Sequence, residues 1–118
     1  MDVALINERT QRLVATYVEV AETRQARRKG LLGRETMPAD SAMMISPCLS
    51  VHTAFMRFPS DVVFVDRDGR AVQVIHNMQP WRVAASLKAH AVIEMAAGRT
   101  RDCGIQLGDR LYLAPEAR

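Results

Sequence analysis

The sequence predicts an α+β domain: a mostly antiparallel, strongly twisted or partly closed β-sheet of six or seven strands, with one or two short helices packed on it. Three observations carry this. Short β-branched and apolar runs recur along the chain and follow one another directly, which favours antiparallel pairing. One of them, Val62-Val63-Phe64-Val65, is apolar throughout and reads as a strand buried on both faces. It is joined to Ala71-Val72-Gln73-Val74-Ile75 by Asp66-Arg67-Asp68-Gly69, and an Asp-Gly turn between two such runs is a strong hairpin signal.

The first ten residues are polar and are expected to fray. Val14, Thr16, Tyr17, Val18 and Val20 suggest a first strand. Thr23 can cap a helix running from Arg24 to Leu32 and closed by Gly33, with Gly30 weakening its last turn. Pro38-Ala39-Asp40-Ser41 is loop chemistry. Met43-Met44-Ile45 reads as a buried strand ended by Pro47, and Val51 to Phe55 as the next strand. Phe58-Pro59-Ser60 turns the chain. After the hairpin come a loop from Asn77 to Trp81, a strand from Ala91 to Met95, a helical turn from Arg99 to Cys103 and a last strand, Leu111-Tyr112-Leu113. Gly104 and Gly108 fall in the turn before it.

The chain has 118 residues, 48% apolar and 25% charged, with a formal charge of +3 and a pI of about 9.3. That length makes one domain, residues 1–118, able to bury a core without a metal or disulfide staple. The composition excludes a disordered chain. The mild basicity permits weak attraction to anions without arguing for nucleic acid. Cys48 and Cys103 stand alone in their segments, unlike the paired cysteines of a secreted scaffold. The N-terminal residues do not have the pattern of a secretory leader, and no apolar stretch approaches the ~20 residues needed to span a bilayer. A soluble, cytoplasmic protein is expected.

Several segments together resemble the domain of unknown function (DUF) 192 family, also known as uncharacterised protein family (UPF) 0127. They are Gly30-Leu31-Leu32-Gly33-Arg34; Met43-Met44-Ile45; His52-Thr53-Ala54-Phe55-Met56-Arg57-Phe58-Pro59; Asp61-Val62-Val63-Phe64-Val65-Asp66; Trp81; Glu94 with Gly98; and Gly104-Ile105-Gln106-Leu107-Gly108-Asp109. They occur in family order over a core of about residues 18–113. Many members read Trp-Met-Lys-Asn-Thr where this chain has Phe55-Met56-Arg57-Phe58-Pro59, so an amide and a hydroxyl are lost while the aromatic, the Met and the cation are kept. The resemblance implies a compact β-rich fold and supplies no activity.

His52 to Asp61 is the segment most informative about function. A strand from Val51 to Phe55 would put His52 and Ala54 on one face. Arg57 and Asp61 flank a proline bend and can close it as an ion pair. The alternative is that His52, Arg57 and Asp61 line a pocket for a polar or anionic small ligand, with Trp81 as an apolar wall. Cys48 and His52 are four apart, and His76, His90 and Cys103 could join them, but a zinc site needs more closely paired ligands, so no metal and no cofactor are expected. Cys48 or Cys103 with a histidine and an aspartate could form a nucleophilic trio, without any local signature for it. Of the carboxylates Asp61, Asp66 and Glu94, Asp66 reads as turn and Glu94 as pairing with a cation on a neighbouring strand. Arg24, Arg27, Arg28, Lys29 and Arg34 read as a solvated helix face, since no stacking aromatics accompany them, and nucleic acid is not the expected partner. Met43, Met44 and Met56 read as core filler. The expectation is a non-enzymatic binding or accessory module for a small molecule or a protein partner. The alternative is a hydrolase using Asp61 or Glu94 with His52.

Overall fold

Ten short strands and two short helices make up residues 3–115, the part of the chain that the structure, a computed structural model, describes. The central sheet has five strands in the order β3 (Tyr17–Ala21), β4 (Ser41–Ile45), β9 (Ala91–Ala96), β6 (Ser60–Val65) and β7 (Ala71–Met78). A second sheet joins β10 (Leu111–Pro115), β1 (Val3–Asn7) and β2 (Arg12–Ala15), and a ribbon pairs β5 (Ser50–His52) with β8 (Val83–Ala85). All pairings between these strands are antiparallel except β3 with β4, which run parallel and are joined through the helix α1 (Arg24–Lys29). The second helix, α2 (Arg99–Asp102), follows β9. The protein is an α+β fold, with more strands than the sequence predicts.

Alternation along β9 divides the central sheet into two faces. Ala91, Ile93 and Met95 join Val63, Val65, Leu5, Val14 and Leu111 in one cluster, so the three-stranded sheet covers this side. On the other side two separate clusters form. Ala21, Met43, Ile45, Leu31, Met37 and Met56 make one; Val51, Val62, Phe64, Met78 and Val92 make the other. Glu94 lies on this second face, with Met43 of the first cluster and Val62 of the second as its cross-strand neighbours.

The hairpin of β6 and β7 forms as predicted. Every residue of β6 is buried, and the strand is interior, between β9 and β7. The Asp66 carboxylate accepts from the Asp68 and Arg70 amides, both at 2.9 Å, which fixes the turn. Gly69 has φ +83°, and a Cβ there would stand 2.6 Å from the Leu111 carbonyl oxygen. Gly69→Val is therefore expected to cost about 2 kcal/mol through backbone strain and displacement of β10. Urea denaturation measures it, and an unchanged midpoint would contradict the turn geometry.

Five expectations need correction. Residues 3–7 do not fray: β1 is the middle strand of its sheet, held by Asn7 and Arg9, which bond Asp109 at 2.8 and 2.6 Å. Met1 and Asp2, also expected to fray, lie outside the described residues. The predicted strand across Val14 to Val20 is two strands in two sheets, parted at Thr16, whose amide bonds the Asp40 carbonyl. Thr23 caps α1 as expected, accepting from the Ala26 amide at 3.0 Å, but the helix ends at Lys29 because Gly30 takes φ +46°. None of its residues is fully buried, and only Ala26 rests on a core cluster. The strand predicted over Val51 to Phe55 stops at His52, where the Met56 amide turns back to the Thr53 carbonyl and Phe55 takes φ +64°. The loop predicted from Asn77 begins later, since β7 runs to Met78, and β8 was not anticipated.

Candidate ligand-binding cleft

The two clusters on the second face leave a cavity of about 330 Å³ between them. Its walls come from α1 and the loop after it, from β4 and the segment that follows it, from β5 and from β9. Arg24, Arg27, Arg28 and Lys29 of α1 line one side. Leu31, Leu32, Ile45, Val51 and Met56 give it apolar walls. Cys48, His52 and Glu94 supply its chemistry.

Glu94 is 7% exposed and carries a carboxyl in an apolar row. Among the described residues it makes no ion pair and accepts no side-chain bond, and burial pushes it up from the ordinary value to about 7. The predicted cation on a neighbouring strand is absent: its cross-strand partners are Met43 and Val62. Cys48 bonds the Ser50 carbonyl through its thiol at 3.0 Å; burial first, and Glu94 beside it, push that thiol up. Both cysteines are free thiols, and they belong to clusters on opposite faces of the sheet.

Of the four residues selected from the sequence, His52 lines this cavity and the other three do not. Arg57 is exposed and pairs with Glu35 at 3.2 Å, not with Asp61. Asp61 points to the opposite face from Glu94, because its register partner is Met95 while that of Glu94 is Val62. It is fully buried and accepts from the Asn77 amide at 2.7 Å and from the Thr100 amide and hydroxyl at 2.9 and 2.5 Å. Burial alone would raise this carboxyl, but the bonds from Thr100 and Asn77 outweigh it and hold it below the usual carboxylate range. The Thr100 hydroxyl also meets His76 Nδ1 at 2.6 Å, and since its own hydrogen goes to Asp61, His76 donates. Trp81 is exposed and stands edge-on to Phe55, with ring centroids 4.7 Å apart. Among the described residues no three His, Cys, Asp or Glu side chains gather as a metal site.

Sequence reasoning missed the α1 cations as cavity lining and the placement of Glu94. The signal for Glu94 was a lone carboxylate inside Ala91-Val92-Ile93-Glu94-Met95, where a buried strand leaves it no solvent. Arg34, read with the helix cations, instead pairs with Glu19 at 2.7 Å.

The sequence matches the family described as "Uncharacterized ACR" over residues 5–113. The chain belongs to the DUF192 family. Two solved structures share its fold. A protein of unknown function from Novosphingobium aromaticivorans DSM 12444 is 22% identical, with a TM-score of 0.80 over 93% of this chain and 82% of that one. A protein from Sinorhizobium meliloti 1021, described as a "putative transcription regulator", is 26% identical, with a TM-score of 0.81 over 93% of this chain and 90% of that one. No curated protein matches the chain. Four of the segments that carry the DUF192 resemblance meet at the cavity, through Gly30 to Leu32, Ile45, His52 with Thr53 and Met56, and Glu94. Among the described residues no helix is long and apolar enough to cross a membrane.

Proposed function

We propose that this DUF192 protein is a non-enzymatic binding module for a small organic anion, held in the cleft between α1 and the central sheet. The observation that carries this is the convergence of four cations from one six-residue helix on a cavity with apolar walls. Cations placed at the edge of a low-dielectric pocket attract an anionic head, and the apolar walls take the body of the ligand. The two free thiols suit the reducing cytoplasm.

Titration calorimetry with benzoate and phenyl phosphate tests the reading and separates a carboxylate from a phosphate preference. Binding is expected to weaken with added salt, and about tenfold in the double variant Arg27→Ala, Arg28→Ala. If neither probe binds at roughly millimolar concentration, or if the double variant binds as the wild type does, the reading fails.

One observation favours a second reading. Glu94, held near neutrality at about 7, shares the cavity with His52, and such a carboxyl can act as a general acid or base. Asp61 has no part in it, being on the other face. Turnover of a nitrophenyl ester or phosphate that Glu94→Gln abolishes would establish the hydrolase.

A further inference from the structure

We infer that Glu94 contacts the ligand directly and meets a neutral hydroxyl, carbonyl or amide group on it, so that the ligand is a small acid with a neutral polar group at the end opposite its anionic head. The inference rests on the anion-binding reading above and adds the chemistry of the far end.

Three observations lead there. First, Glu94 lines the cavity at 7% exposure, and its carboxyl has no hydrogen-bond partner among the described residues. A polar group on a cavity wall with no protein partner is free to bond what fills the cavity, whereas the Asp61 carboxyl is taken up by Asn77 and Thr100. Second, the cations belong to α1 and none of them holds Glu94 ionised; Met43 and Val62 are what flank it on the sheet. Its neutral form offers both an O–H donor and a carbonyl acceptor, which suits a neutral polar group. An ammonium there would require burying two ions. Third, the polar lining of the cavity outside α1 includes the uncharged Ser50 and Thr53. The side of the cleft away from α1 is thus supplied with neutral hydrogen-bonding groups, the helix side with charge, and Leu31, Ile45 and Val51 lie along the walls.

The test uses the full chain and three probes that share a carboxylate head: para-methylbenzoate, para-hydroxybenzoate and para-aminomethylbenzoate, titrated calorimetrically at about pH 6, where Glu94 is largely neutral. The hydroxyl probe is expected to bind about tenfold tighter than the methyl probe. Glu94→Gln keeps that preference, because an amide also donates and accepts, while Glu94→Leu removes it. Arg27→Ala weakens the methyl and hydroxyl probes alike. Equal affinity for those two in the wild type, a preference that survives Glu94→Leu, or tightest binding of the ammonium probe each overturns the inference and leaves the anion site standing. Failure of all three probes to bind overturns the inference, and removes the anion site with it where phenyl phosphate fails to bind too.

Discussion

Asp61→Ala is expected to lower stability by about 4 kcal/mol, roughly 15 °C in melting temperature. The substitution leaves the Asn77 amide, the Thr100 amide and the Thr100 hydroxyl without their acceptor in the interior. Each such loss costs about 1–3 kcal/mol. The partner is not Arg57, so Arg57→Ala should change stability by less than about 0.5 kcal/mol. An equal loss in the two variants would restore the ion pair suggested by the sequence. The pH dependence follows the sign of the shift. The folded carboxyl lies below its ordinary value of 3.8, so its contribution is complete above that value and is lost as pH falls through the folded pKa. Asp109 acts in the same direction, held at about 2 by Arg9 first and by Asn7 and the Gln106 amide. Acid unfolding below about pH 4 should therefore lose cooperative support from both.

Glu94→Gln is expected to do the opposite at neutral and alkaline pH. The folded carboxyl is raised from 4.5 to about 7, so the native state binds its proton more tightly than the unfolded chain does. Stability from this group is full below the unfolded value and declines as pH rises toward 7. By pH 8 the decline amounts to about 3 kcal/mol. The glutamine variant lacks this decline. Denaturation with urea at about pH 5 and pH 8 should show wild-type protein losing stability between the two while the variant changes little. Parallel losses in both proteins would mean that Glu94 is ionised without penalty.

Much of the fold was legible, and the reasons are local. Val62 to Val65 with the Asp66 turn carried both period and turn chemistry, and the hairpin followed. Thr23 announced the helix start because an N-cap is a single-residue signal. The family resemblance was legible because its segments are ordered along the chain. What failed needed long-range information. Whether Val3 to Asn7 is a strand depends on β10 at the other end of the chain. The Arg57–Asp61 pairing looked sound by spacing, but the strand beginning at Ser60 fixes where Asp61 points, and the pleat sends it to Thr100. The α1 cations look solvated along the sequence. Only the placement of β5 and β9 opposite them makes a cleft.

The pairing of β1 with β10 governs how this chain can be made. Val3 lies opposite Pro115, and Asn7 bonds Asp109, 102 positions away. Contacts of that separation form late and slowly, because loop closure precedes any gain from them. On the ribosome β1 emerges about a hundred residues before β10, its principal neighbour. Until β10 emerges, Leu5, which ends fully buried, waits without its cover. The central hairpin can form early, but the sheet that seals one side of it cannot close before translation has passed β10.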